Sequence, residues 1–465
     1  MTFSSIFFLL YFLPISLLVY YAAPSGLKNF VFLVESVIFY WWAAPSFLPL
    51  ITVLISINYA AAIVQSMVTT RVKKLICSSA VVVTLFSLIL FKYFDTIYLI
   101  TEMISLTGFS SLSFFDVLPM GISYYTFKLV SYQIDVYAGK TEAERNFVNF
   151  AMYFVWFPQI LVGPIIRYTH LRESIQRPKE RCTFTKLTNG IQLFIFGLAQ
   201  KVILADGIGA LWIEISDGGI GLTRASTPLV WLAVVAYSLE LYFDFSGFSN
   251  MSNGLSYMFG FTCRENFRFP YTSRSVTEFW TRWHISLSEW FRDYVYIPLG
   301  GNRKGWKRQV LNLMIVWILT GIWHSSQTNF NFILWGIYYF LILLLEKKIL
   351  KPYLEKGLVW PHLYTLLVVV IGWGIFACTA DNVTLPILFS GLFGLSDGVS
   401  ALYFVRNYGV LFSMCVLFST PLPEKIWLGS TKIPFLQPVF LTILLVLSIA
   451  YVVTGTATPA LYVVF

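Results

Sequence analysis

Two histidines stand where ionisable side chains are uncommon. The stretch TGIWHSSQTNF, residues 320–330, ends an apolar run with His324 and turns polar at Ser325. The stretch TRWHIS, residues 281–286, sets His284 among Trp280, Trp283 and Trp290. Imidazole titrates near ~6.5, so a neutral ring can take a proton from an attacking hydroxyl at working pH. A charged group at membrane depth costs ~2.5 kcal/mol or more and is rare unless it is used, but a neutral histidine costs less. A proton-acceptor role for His324 therefore weighs evenly against hydrogen-bonded packing, and for His284 an interfacial anchor weighs more. Asp244, in YFDFSGFSN, is a proton carrier, a helix-capping acid or, with the greatest weight, the partner of an arginine. Between Arg264 and Arg308 nine Lys/Arg accompany four Asp/Glu. A deep base beside a cationic rim suits transfer of an acyl group from an anionic carrier. The rival from another class is a transporter or channel in which His324, Asp244 and His284 relay protons.

These residues need elements to hold them, and the composition says of what kind. Of 465 residues 57% are hydrophobic, 18% aromatic and only 12% charged, where a soluble domain carries roughly a quarter charged. The expectation is an all-α polytopic membrane protein of one domain, 1–465, with N-terminal helices over 1–100, a catalytic core over 113–345 and C-terminal helices over 360–465. Apolar stretches at 2–21, 29–44, 48–65 and 76–91 approach the ~20 residues that cross a ~30 Å hydrocarbon core, and roughly ten to twelve such segments recur, some too short to cross. The first is a retained helix, since its start lacks the basic residues of a secretion signal. Five scattered cysteines without a C-x-x-C pair form no disulfide framework or thiolate metal site. No H-E-x-x-H stands out, and Gly139-Lys140-Thr141 lacks the upstream glycine of a nucleotide loop.

Short Lys/Arg-rich loops stay cytoplasmic, which turns the net charge of +9 into a map. Loops at Arg71, Glu142, Arg177 and Lys304 lie inside, and the N-terminus outside. Residues 116–137, holding Pro119, Gly121, Lys128 and Asp135, face protein or a watery cavity rather than lipid. Residues 149–168, broken at Pro158 and Gly163-Pro164, enter and return as a re-entrant hairpin. Residues 275–293 have helical period, with Ser275 and Glu278 as a capping box and His284 on the inward stripe. The glycines of PLGGNRKG make a tight turn before a basic face. Residues 309–323 span only ~22 Å at 1.5 Å per residue, so His324 sits near the turn of a helical hairpin. His170 and His362 read as structural.

The segments LPMGISYYTFKLVSYQIDVYAG, FPQILVGPIIRY, YFDFSGFSNMSNGLSYMFGF, ENFRFPYTSRSVTEFWTRWHISLSEWFRDYVYIPLGGNR, TGIWH and ILWG resemble, in order, the membrane-bound O-acyltransferases, and within them the alginate O-acetyltransferase branch with its polysaccharide and peptidoglycan relatives. The likeness runs from about Met1 to Phe376. It implies some 10–12 transmembrane or re-entrant helices around a central funnel or tunnel, in the bacterial cytoplasmic membrane. His324 and His284 take the places of that family's catalytic histidines, and Arg282, Asp244, Ser246, Asn266, Trp323 and Arg303 lie in the motifs expected to bind substrate.

The implied activity is acetyl transfer from a cytoplasmic thioester, acetyl-coenzyme A, for O-acetylation of a cell-surface polysaccharide such as alginate. Peptidoglycan O-acetylation and D-alanyl transfer to teichoic acid are the alternatives. No bound cofactor, metal or nucleic acid is expected. The expected partners are the donor, membrane lipids, a polysaccharide acceptor, and an extracytoplasmic acyltransferase protein or small acceptor peptide. The chain departs from the relatives' W-H-G-A-x-W at WHSSQTNFNF, where Ser325 replaces a glycine, and carries Asn250 where they often carry an acid.

Overall fold

The computed structural model describes residues 2–94, 118–161, 163–216, 219–325, 331–378, 383–433 and 435–455. Among these the chain is helical, with a single isolated bridge between Ala225 and Val399 and no strand. Six helices are long and apolar enough to cross a membrane: Pro45–Gln65, Thr70–Lys92, Phe184–Ser216, Thr227–Met258, Trp360–Ala377 and Leu436–Val453. A pair bent by 74°, Leu402–Phe418 with Leu422–Ser430, makes a seventh if counted as one span. The remaining expected segments are shorter, such as Phe8–Ala22 and Asn331–Leu345. The expected all-α polytopic class is the one observed.

The residues pack as two compact units. The first holds Met1–Phe194 and Ser249–Arg264. Its helix Ile122–Tyr137 is buried along almost its whole length, polar residues included. Gln133 Nε2 donates to the Asn58 carbonyl at 2.7 Å and to Asn58 Oδ1 at 2.9 Å, and its Oε1 accepts from Gln65 Nε2 at 2.5 Å. Asp135 pairs with Lys140 at 3.4 Å. Gln133 and Asp135 are thus satisfied within the protein, as their place requires where lipid offers no partner, whereas Tyr125 Oη and Thr126 Oγ1 on the same helix are buried with no hydrogen-bond partner among the described residues. Within the hairpin expected over 149–168 stand two helices, Phe147–Val155, buried from Phe150 on, and the buried Phe157–Ile160, with the break at Trp156 and Pro158 in the second one's first turn. Arg181, also in this unit, is buried and donates to Tyr20 Oη, Asn29 Oδ1 and the Ser174 carbonyl.

The second unit holds Ile195–Phe248, Glu265–Ser325 and Asn329–Phe465. The continuous helix expected over 275–293 is instead two, Val276–Arg282 and Ile285–Phe291, because His284 adopts left-handed backbone angles (φ 42°, ψ 55°) that an α-helix cannot carry. The cap is also richer than expected. Ser275 Oγ accepts from Glu278 N at 3.0 Å, but Glu278 reaches the Arg274 N–H rather than that of Ser275. The Glu346 carboxylate takes the N–H groups of Val276 and Thr277 at 2.6 and 2.8 Å. The PLGG turn is tight as expected, with Gly300 and Gly301 at φ 111° and 54°, and Arg308 Nε and Asn312 Nδ2 hold its carbonyls at Leu299 and Gly301.

Helices Trp306–His324 and Asn331–Leu345 meet backbone to backbone through two glycines. A Cβ on Gly321 would lie 2.6 Å from the Phe332 carbonyl oxygen, and one on Gly336 2.5 Å from that of Trp317. These are the glycines of TGIWH and ILWG, and their lack of a side chain sets His324 beside Trp335.

Candidate active site

Both histidines open on one cavity of about 430 Å³ within the second unit, inside the ~300–1,000 Å³ range of small-molecule sites. Its wall is largely indole: Trp280, Trp283, Trp317, Trp335 and Trp373. Ring centroids lie 5.0 Å apart for Trp280–Trp317, 5.6 Å for Trp280–Trp335 and 4.7 Å for Trp283–Trp373. Arg292, Glu289 and Lys347 add charge to this lining. Lys347 follows directly on Glu346, whose carboxylate holds the start of the Val276–Arg282 helix.

His324 is the last residue of its helix and is buried. Its ring lies 4.5 Å from Trp323, 5.4 Å from Trp335 and 5.2 Å from Phe376. The helix begins at Trp306, three residues earlier than the hydropathy pattern indicates, and still ends on the histidine. Ser325 turns its hydroxyl back onto the Gly321 carbonyl at 2.9 Å, so this serine is used as a helix end rather than offered to a ligand. The polar residues 326–329 lie outside the described residues.

His284 is fixed by the loop before it. Asn266 Oδ1 receives Ser286 N at 3.1 Å and Ser286 Oγ at 2.9 Å and lies 3.3 Å from His284 Nδ1. The Asn266 carbonyl accepts from Ile285 N at 3.0 Å, and Arg268 N donates to the Arg282 carbonyl at 2.9 Å. The imidazole packs edge-on against Phe245 at 4.6 Å and lies 6.4 Å from Trp323. Burial among these rings pushes its pKa down to about 3, so the ring is neutral. The Nε2 atom is buried and has no hydrogen-bond partner among the described residues.

The other expected site residues divide. Trp323 lies ring to ring near both histidines, and Asn266 holds His284, though neither lines the cavity itself. Arg282 is turned away, paired with Glu278 at 2.5 Å and donating to Thr272 Oγ1 at 3.0 Å. Asp244 pairs with Lys201 at 2.7 Å rather than with an arginine, and Lys201 also holds Asp206 at 2.6 Å. Ser246 is buried elsewhere on the same long helix as Asp244, and Arg303 is exposed on the glycine turn. None of these four lines the cavity. Arg292 comes from the basic rim expected between Arg264 and Arg308, whereas Trp335, Trp317, Trp373 and Lys347 were unforeseen as lining residues. The available signal was tryptophan beside glycine in ILWG and IGWG, and a lysine directly after an apolar helix. His362 is structural as expected, its Nδ1 lying 3.2 Å from the Ser273 carbonyl.

Comparison with known sequences accords with this arrangement. A family model described as membrane-bound O-acyltransferase matches residues 37–389. The probable alginate O-acetylase AlgI of Pseudomonas aeruginosa is 39% identical over 383 residues, covering 81% of this chain and 72% of its own length. The protein of the same name from Azotobacter vinelandii is 37% identical over 407 residues, 85% of this chain and 79% of its own. The peptidoglycan O-acetyltransferase of Helicobacter pylori is 28% identical over 367 residues, with coverages of 72% and 68%.

Proposed function

This chain belongs to the membrane-bound O-acyltransferase family and is a multi-pass membrane enzyme that transfers acyl groups to oxygen, and on that premise we propose that it takes acetyl from acetyl-coenzyme A for O-acetylation of an envelope polysaccharide. Its place is the bacterial cytoplasmic membrane. The observation that carries this reading is that His284 and His324 both open on one tryptophan-rich cavity. The acceptor class follows the names of the relatives, alginate O-acetylase and peptidoglycan O-acetyltransferase. Enzymatic family membership sets the conduit reading aside.

In this mechanism the acceptor hydroxyl gives its proton to His324 as its oxygen attacks the thioester carbonyl carbon. The carbonyl oxygen gains charge and needs a preorganised donor. The indole N–H of Trp335 suits that task, because it lines the cavity next to His324, is buried, and has no hydrogen-bond partner among the described residues. The carbon–sulfur bond then breaks and the His324 imidazolium returns the proton to the thiolate. Products are the acetyl ester and the free thiol. Lys347 and Arg292 are the lining cations suited to the donor's phosphates, the half-exposed Arg292 while it also holds Asp293 at 2.7 Å. The first acceptor is a slender one, a residue of an extracytoplasmic partner protein that completes delivery to the polymer.

The test is reconstitution in liposomes with labelled acetyl-coenzyme A. Transfer of label to an acceptor hydroxyl, lost in His324→Ala with the thermal melt in detergent retained, is expected. Turnover retained by His324→Ala would remove the assignment. Efficient acetylation of polymer fragments by the purified chain alone would remove the partner relay.

A further inference from the structure

The proposed reaction leaves unsaid what His284 does, and the hydrogen bonds around its ring decide it. The backbone N–H of Ser286 can only donate, so the Asn266 side-chain atom 3.1 Å from it must be the oxygen. The Ser286 hydroxyl has two partners in reach, that oxygen at 2.9 Å and His284 Nδ1 at 3.4 Å, and its proton goes to the shorter contact, which leaves its own oxygen as a further acceptor beside Nδ1. An atom that is an acceptor only then faces His284 Nδ1 at 3.3 Å. The contact is attractive only if Nδ1 carries the ring proton. Burial keeps the ring from taking a second proton, since an imidazolium here would be a desolvated cation. Nε2 is left with a bare lone pair.

The backbone enforces the same choice. His284 sits at φ 42°, a left-handed conformation that is unfavourable in a residue other than glycine and persists only where the surroundings hold it. The Asn266 carbonyl bound to the Ile285 N–H, and the Arg268–Arg282 bond beside it, hold that turn closed. A 180° ring flip would put a carbon where Nδ1 meets Asn266, and Phe245 packed edge-on at 4.6 Å opposes it.

We infer that Asn266 is a positioning residue that locks His284 in its Nδ1–H tautomer, so that Nε2 meets the bound donor as a hydrogen-bond acceptor for an amide N–H. The inference rests on the proposed thioester donor. A thioester carbonyl and a phosphate offer only acceptors to this lone pair and are repelled by it. The amide N–H groups along a pantetheine-type arm are its complement. His284 therefore reads the arm of the donor, and the oxyanion falls to another group.

Histidine-selective 15N labelling tests the tautomer without any turnover. The chain has four histidines, and subtraction of a His284→Gln spectrum identifies the one of interest. A protonated Nδ1 with a bare Nε2 is expected in the wild-type protein, and Asn266→Ala should move that signal toward a mixture of tautomers. An Nε2–H tautomer or an imidazolium in the wild-type spectrum overturns the inference, whatever the variant does. The second arm compares acetyl N-acetylcysteamine thioester, which has one amide, with acetyl ethanethiol thioester, which has none. The wild-type preference in kcat/KM for the first should be on the order of tenfold. His284→Leu should erase this preference, and His284→Gln, whose amide oxygen can stand near the Nε2 position, should restore part of it. A preference unchanged in His284→Leu overturns the recognition role. If the wild-type protein transfers acetyl from no thioester at all, the proposed function falls, while the spectrum still decides the tautomer.

Discussion

The buried amides of the first unit and the cavity wall of the second use the same kinds of side chain to opposite ends. Around Gln133 every contact closes on another helix: Gln65 and Asn58 bind it, and Asn58 Nδ2 goes on to Thr84 Oγ1 at 3.0 Å. On the cavity wall His284, Trp280 and Trp335 have buried Nε2, Nε1 and Nε1 atoms with no hydrogen-bond partner among the described residues. A buried polar group left unpaired costs about 1–3 kcal/mol, so several around one cavity mark a place where a ligand completes the bonding. Polarity at membrane depth is ambiguous by itself. The first unit also has unpaired buried atoms, Gln65 Oε1 among them, so it is their gathering on the wall of one cavity, not their occurrence, that marks a site.

The largest effect should come from the cavity side. His324→Ala removes the proton acceptor and should lower turnover by about 10²–10⁴, the usual contribution of a general base, with an unchanged melting temperature in detergent. A matching loss from Gln133→Leu would erase the distinction, since Gln133 belongs to the tied network. Trp335→Phe keeps the ring and deletes the N–H. Its kcat should fall by about 10²–10³ with little change in the donor KM, as for removal of an oxyanion donor. Equal kcat in wild type and Trp335→Phe would return that indole to packing.

The tied network should respond in stability instead. Gln133→Leu leaves Asn58 and Gln65 with unmet groups and should cost about 1–3 kcal/mol, read as a lower melting temperature. Turnover per folded molecule should stay within about twofold, because Gln133 does not line the cavity and shares no partner with its residues. A drop in kcat without a change in melting would make Gln133 part of the site.

The two regions were not equally legible. Apolar length and period located the spanning helices because lipid imposes composition along the whole segment, but not always their ends: the stretch read at 76–91 belongs to a helix that begins at Thr70, where polar and basic residues lead into it. The short helix ending on His324 and the inward placement of His284 were readable too. The break at His284 was not, since helical period continues through residues whose backbone is turned by a loop some twenty residues earlier. Asp244 was readable as a paired acid, but its partner Lys201 was not, because the pairing joins two separate helices. Most of the indole wall was hidden for the same reason. Trp335 and Trp373 come from segments whose sequence carries no charge, and only their assembly makes a cavity of them. Arg282 and Arg303 looked functional because they are basic and stand in motifs, yet one is spent on Glu278 and the other is exposed on a turn.

That last contrast yields the smallest and most discriminating effect. Arg292 and Lys347 line the cavity, whereas Arg303 and Lys304 stand on the exposed glycine turn. A cation in contact with a phosphate contributes a charge-assisted hydrogen bond, so Arg292→Gln with Lys347→Gln should raise the donor KM about tenfold or more. An exposed cation acts only through its field, which salt screens over ~10 Å at 0.1 M. Arg303→Gln with Lys304→Gln should therefore raise KM by less than about fivefold, the range of exposed charge pairs, and the difference should vanish at high ionic strength. Arg308 is left out of this variant because its side chain holds the turn at the Leu299 carbonyl, and its loss would disturb the fold. A salt-independent, tenfold effect from the turn pair would put the donor's phosphates on the turn instead. The cavity cations would then be the ones acting at a distance.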